Sequence, residues 1–123
     1  MEIIKKLKPN QIFVFGSNAN GHHAGGAARQ ALDKFGAEWG NPAGLQGQSY
    51  AIVTLDSNMC KVTHSFILQQ LVTLNTFAAD NPDKEILVTP IGCGIAGFSV
   101  DEINKLFQLI KWQPNVILPD EFI

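Results

Sequence analysis

Residues 11–29 read Gln-Ile-Phe-Val-Phe-Gly-Ser-Asn-Ala-Asn-Gly-His-His-Ala-Gly-Gly-Ala-Ala-Arg. The apolar run 12–15 breaks at Gly16 into a loop of Gly, Asn and His. That loop closes at Gly25-Gly26 and continues as an Ala-rich segment with helical spacing. Strand, glycine-bearing loop, helix is the order that turns backbone N–H groups toward an anion at a helix N-terminus. Glycine lets the backbone approach a phosphate closely and take positive φ without steric penalty.

Outward from this stretch, the pattern recurs. Ala27, Ala28, Ala31, Leu32 and Phe35 fall three and four apart and predict a helix over 24–35. Residues 36–47 hold four glycines and Pro42 and predict a loop, long for its place. A second strand is expected over 49–55, then a turn over 56–60. A second helix starts at Thr63 or His64 and runs to about Ala79, with Ile67, Leu71, Leu74 and Ala78 on one stripe. Asn81-Pro82-Asp83 stops it. A third strand is expected over 85–91, its ladder loosening near Pro90, which has no N–H to donate. It leads into a second glycine loop, Gly92-Cys-Gly-Ile-Ala-Gly-Phe98. Ser99 and Glu102 have capping-box spacing, and Ile103, Leu106, Phe107 and Ile110 give a third helix its apolar stripe. Gln113-Pro114 ends that helix, and 116–118 is a fourth strand. The lead-in 1–9, with Lys5, Lys6 and Lys8, reads as a short strand or turn with a solvated face.

The order β-α-β-α-β-α-β predicts an α/β fold: a mainly parallel sheet with helices on its faces in a three-layer α/β/α arrangement. Every strand-to-helix loop then opens on the carboxyl edge of the sheet, where ligands bind. Loops 16–25 and 92–99 both follow strands and precede helices, so together they predict a cleft.

At 123 residues the chain reads as one domain, 1–123. A chain of this size buries roughly two-thirds of its unfolded surface and needs no disulfide or metal staple. A formal charge of −2 gives no general attraction to nucleic acid or to an anionic membrane. An anionic ligand must therefore be held by local dipoles and N–H groups. Cys60 and Cys93 have no metal-type spacing; a reduced cytoplasmic protein is expected, with a single bridge between them left open. No apolar run reaches membrane length, and the start has no signal-peptide pattern.

The Rossmann fingerprint with its ribose-binding acid is not present, and neither is the Walker motif. Two glycine loops, each opening a helix, point either to a phosphate or diphosphate ligand or to tight turns with none. His22 and His23 are candidates for a phosphate donor or a general base near neutral pH. As an adjacent pair without a third ligand they make no metal site. Cys93, between glycines at a helix start, is either a nucleophile or a small buried residue. Arg29, one turn into its helix, either reaches a phosphate or pairs with an acid. Trp39 either stacks on a base or packs, and Trp112 belongs to core or rim. Gln46, Gln48 and Ser49 fall on the edge opposite the cleft, or hydrogen-bond a base if the 36–47 loop folds over it.

Phe15-Gly-Ser-Asn18 followed by Ala24-Gly-Gly-Ala-Ala28, together with Ile91-Gly-Cys-Gly-Ile-Ala-Gly97, resembles the macrodomain family of ADP-ribose-binding modules. Nearly end to end the chain is also similar to short bacterial and phage proteins carrying F-G-S-N, G-A-A, G-L-Q-G-x-S and I-G-C-G-x-A-G. The macrodomain resemblance implies a small-molecule nucleotide partner of the ADP-ribose class, with no further cofactor. It implies that Asn18, in the strand end Gly16-Ser17-Asn18, contacts the distal ribose. Gly25 and Gly26 would line that ribose and the diphosphate. The backbone of Gly92, Cys93, Gly94, Ile95, Ala96 and Gly97 would wrap the diphosphate, with Phe98 near the distal ribose. Residues 11–15 hold no acid of the kind macrodomains use to read adenine, and no aspartate or lysine matches the catalytic residue of the hydrolytic subgroups. The expected function is binding of ADP-ribose or a related nucleotide diphosphate. Hydrolysis of an ADP-ribosyl derivative, or of ADP-ribose phosphate, would be assisted by Asn18, His22 or His23. The alternatives are a non-enzymatic binder of a nucleotide signal and a protein-interaction domain without a small ligand.

Overall fold

A computed structural model describes residues 6–123. Residues 1–5, and with them Lys5 and the start of the lysine-bearing lead-in, lie outside the described residues. The elements are β1 (Gln11–Asn18), α1 (Gly26–Lys34), β2 (Gly44–Gln46), β3 (Ser49–Leu55), α2 (His64–Asp80), β4 (Glu85–Val88), α3 (Val100–Gln108) and β5 (Val116–Ile117). A short 3₁₀ turn, Asp120–Phe122, follows. The chain is α/β, with one five-stranded mixed sheet in the order β2-β3-β1-β4-β5. β1 runs parallel to both β3 and β4, and β4 parallel to β5; β2 lies antiparallel to β3.

Burial explains why these segments take these forms. Along β1 successive side chains point to opposite faces. Ile12 and Val14 join one apolar cluster with Ile67, Leu71 and Leu74 of α2 and Ile103 and Phe107 of α3. Phe13 and Phe15 join a second cluster with Ala28, Ala31 and Phe35 at α1. A strand covered on both faces reads as a continuous apolar run, which is what 12–15 is. The stripe expected on the second helix is the buried stripe of α2, and Thr63 caps it by accepting the Phe66 N–H. Ser99 and Glu102 form a reciprocal capping box at α3.

Three differences matter for the site. The long loop expected over 36–47 contains a strand, β2. A three-residue antiparallel edge strand, Gly-Leu-Gln, carries too little periodicity to show in the sequence. The first strand runs on past Phe15 to Asn18, while the third stops at Val88, short of Ile91. Pairing of β1 with β4 ends at Val14↔Val88, whereas pairing with β3 continues to Asn18↔Leu55. Thr89 still donates its N–H to Val14 O, but Pro90 has no N–H with which to extend the ladder. The two strands therefore part, and a crevice opens between their carboxyl ends. From β1 the chain crosses to β3 on one side and later returns to β4 on the other. That reversal at a central strand is the position where open α/β sheets bind ligands.

Candidate functional site

The crevice is a cleft of about 250 Å³. One wall is the end of β1 and the loop into α1, with Gly16, Ser17, Asn18, His22, Gly25 and Gly26 among its residues. The facing wall is the loop after β4, with Gly92, Gly94, Ile95 and Ala96. The walls meet closely: a Cβ on Gly25 would stand 3.1 Å from Ile95 Cδ1, and one on Gly16 would stand 3.4 Å from the Gly92 N. A third wall, absent from the sequence reading, comes from Thr54, Leu55 and Met59 at the end of β3. The turn 56–60 also follows a strand and precedes a helix, so the edge rule that selected the two glycine loops applies to it as well. Met59 holds φ 61, an uncommon conformation for a residue with a side chain.

Most of the lining is apolar, and its free hydrogen-bond donors include backbone N–H groups. Helix α1 follows an N-cap Gly25 with no side-chain cap, unlike α2 and α3, and like α2 it has no acid in its first turn. Among the described residues the N–H groups of Gly26, Ala27 and Ala28 have no partner, and the first intrahelical bond is Arg29 N–H to Gly25 O. In the facing loop Gly97 N–H bonds Gly94 O and Phe98 N–H bonds Gly92 O, which folds the segment into a compact turn. That leaves the N–H groups of Gly94, Ile95 and Ala96 without a partner among the described residues. All six of these residues line the one cleft.

The side chains are largely committed elsewhere. Asn18 Oδ1 accepts from the N–H of Asn20 and of His22, and Asn18 Nδ2 donates to His22 O at 2.9 Å. The residue expected to hold a ribose or assist catalysis thus fixes the loop that follows it. Ser17 donates its hydroxyl to Pro42 O, Thr54 donates to Ser17 O at 3.2 Å, and Thr89 to Val14 O at 2.7 Å. Among the described residues no Asp, Glu, Lys, Arg, Cys or Tyr lines the cleft, and the titratable side chain that does is His22.

Five expected contributors stand elsewhere. His23, a candidate base, is fully buried beside Phe15, whose ring it meets edge-on at 5.1 Å. Its Nε2 lies 3.1 Å from Asn41 O and 3.2 Å from Gln46 Oε1, two acceptors that fix the proton on Nε2. The other nitrogen, Nδ1, is buried with no partner. Arg29 points away along α1 and pairs with Asp33 at 3.0 Å on an exposed surface. Cys93 is half-buried outside the cleft, its thiol directed at Ile91 O. Burial first, and then the carboxylates of Glu121 and Glu102, push that thiol above its ordinary pKa, which disfavours the thiolate a nucleophile needs. Phe98 is buried in the larger core cluster, with Lys61 Nζ 5.2 Å from its ring centroid. Gly97, φ 80, shapes the turn without lining the cleft. Gln46, Gln48 and Ser49 likewise do not line it.

The segment between α1 and β2 climbs back to the carboxyl edge and is held there by a dense set of bonds. Gly40 donates its N–H to Gly21 O at 2.9 Å, and Ser17 reaches Pro42 O. Buried Gln46 accepts the Glu38 N–H at 2.8 Å and donates to Asn41 O at 3.1 Å. These bonds set Trp39, 56% exposed, parallel to the imidazole of His22, with ring centroids 4.9 Å apart and planes 12° from parallel. Trp112 packs on Phe107 at 5.2 Å and donates to its carbonyl, away from this edge.

Among the described residues no helix is long and apolar enough to cross a membrane. Comparison with family models, curated proteins and solved structures returned no match.

Proposed function

We propose that the cleft binds the diphosphate of a nucleotide of the ADP-ribose class, and that the chain is a binding module rather than a hydrolase. The observation that carries this reading is the facing pair of unpartnered N–H sets, Gly26–Ala28 and Gly94–Ala96, lining one cleft. An uncapped helix N-terminus favours negative charge, and successive free N–H groups in a glycine turn form an anion-binding concavity. Two such sets across one crevice suit two linked phosphates. The fold agrees with this reading: α1 packs against the Phe13 and Phe15 face and α2 and α3 against the Ile12 and Val14 face, as in a three-layer macrodomain-like arrangement.

Binding is favoured over turnover because, among the described residues, the lining holds no carboxylate, lysine or thiol to move a proton, and the ring of its one imidazole, His22, is stacked on Trp39. Asn18 spends its amide on the loop, and His23 is sealed from the cleft.

Thermal melting with ADP-ribose, ADP and inorganic diphosphate tests the proposal. A ligand bound only to the folded state at about 100 times its dissociation constant adds about 2.7 kcal/mol, a shift of several degrees. Gly94→Asp provides the control, because a Cβ there meets nothing within 4 Å and the fold should persist. Its carboxylate beside the free N–H groups is expected to abolish the shift. No shift with any of the three ligands would overturn the proposal.

A further inference from the structure

We infer that His22, backed by Trp39, is a stacking platform for the aromatic base of the bound nucleotide. The inference rests on the phosphate-binding reading of the cleft and extends it to the other end of the ligand.

The cleft of about 250 Å³ lies below the roughly 300–1,000 Å³ of pockets that enclose whole ligands. It has room for phosphates and part of a sugar, so a base attached to them must lie at its mouth. Most of the mouth is small or aliphatic: Ala24, Gly94, Ile95, Met59. Its one aromatic residue among the described residues is His22, three residues before Gly25 and so at most about 11 Å from the helix start along the chain. A phosphate and a base joined by one sugar fall within that limit.

His22 is also held in place. Its N–H and carbonyl are both bonded to the Asn18 side chain, and Trp39 covers one face of its ring. The other face is open, since the residue is exposed and borders the cleft. Trp39 in turn stands on a backbone clamped by Gly21, Gln46 and, through Asn41, His23. The loop is already fixed by those bonds, so the stack is not what holds it in place. The same arrangement does suit recognition, because a rigid ring with one open face meets a base at small entropic cost. Stacking is also tolerant of base identity, which fits a mouth where none of the described residues is an acid that could read a ring edge.

The experiment measures dissociation constants for ADP and for inorganic diphosphate with the wild-type chain, His22→Ala, His22→Phe and Trp39→Leu. The wild type should bind ADP about tenfold more tightly than diphosphate. His22→Ala and Trp39→Leu should each remove most of that margin while leaving diphosphate affinity in place, and His22→Phe should restore it. In Trp112→Phe, where Trp39 is the remaining tryptophan of two, its fluorescence should respond to ADP and not to diphosphate. Diphosphate binding with no gain from the base overturns the platform and leaves the phosphate site standing. Equal losses for both ligands in His22→Ala also overturn it, because they would mark a structural role. Failure of both ligands to bind the wild type overturns the phosphate site and the platform together.

Discussion

Replacing Gly21 by alanine isolates the contact that holds the 36–47 segment over the carboxyl edge. Gly21 has φ +68, and a Cβ there would lie 2.5 Å from Gly40 C and 2.6 Å from Asn41 N. Both are backbone atoms, so no rotamer change can relieve the clash and the two loops must part. Parting them breaks the Gly40 N–H to Gly21 O bond, at about 1 kcal/mol. Left-handed backbone in a residue with a Cβ adds about 1–2 kcal/mol. Loss of the His22–Trp39 stack removes about 0.5–1.5 kcal/mol more. The expected destabilisation is about 3 kcal/mol, a large part of the roughly 5–15 kcal/mol that stabilises a typical domain. Gly40→Ala is the internal control. It sits on the other side of the same contact at φ +88, but its Cβ meets nothing within 4 Å. Only the backbone term applies there, about 1–2 kcal/mol. Urea denaturation at equal slopes compares the two variants directly. Equal losses in Gly21→Ala and Gly40→Ala would refute the close-crossing argument and leave only backbone strain.

The remaining expectations follow from single side chains. Gln46→Ala strips the Glu38 N–H and Asn41 O of a buried partner and should cost about 2–3 kcal/mol by the same urea assay; a change below about 0.5 kcal/mol would contradict the role given to that network. In the native protein at neutral pH, iodoacetamide should modify exposed Cys60 well before Cys93, whose raised pKa holds it as the thiol until alkaline pH. Similar labelling rates would count against the burial of Cys93. Ser99→Ala should cost about 1 kcal/mol through loss of the α3 cap. The Glu102 carboxyl is held below its ordinary pKa, chiefly by the Ser99 N–H it accepts, so its folded value lies under its unfolded one. Its contribution is therefore present above the unfolded carboxylate pKa and is lost as pH falls through the folded value. The stability gap between wild type and Glu102→Ala should close on acidification, and a gap independent of pH would refute the assignment.

The strands and helices were legible where apolar spacing was long and regular. The α2 stripe Ile67, Leu71, Leu74 and Ala78 and the Ser99–Glu102 box appear in the structure as the spacing indicates. Strand order was not legible, because nothing local in β3 or β4 says which side of β1 each will take. The crevice depends on that order and on where Pro90 ends the ladder. His22 and His23 show the same limit at the level of residues. They are neighbours of identical chemistry, yet one borders the cleft and the other is sealed against Phe15. What separates them is the long-range engagement of Gln46 and Asn41, residues 23 and 18 positions from His23. Asn18 was singled out for its side chain, and that side chain is consumed locally by an Asx-type turn, a use its sequence neighbours Asn20 and His22 make available.

The balance between binding and chemistry turns on what the cleft is made of. General acid–base catalysis needs a group that gains or loses a proton within reach of the reacting atom. Here the hydroxyls of Ser17, Thr54 and Thr89 each donate to a backbone carbonyl, and the carboxamide of Asn18 is bonded to its own loop. What is left for a ligand is a set of amide dipoles, which neither titrate nor reorganise, with the His22 ring beside them. Preorganised dipoles stabilise whatever charge they face equally before and after reaction, unless the charge moves. If the cleft binds a diphosphate as proposed and its charge stays in place, those dipoles lower the free energy of the bound state without lowering a barrier.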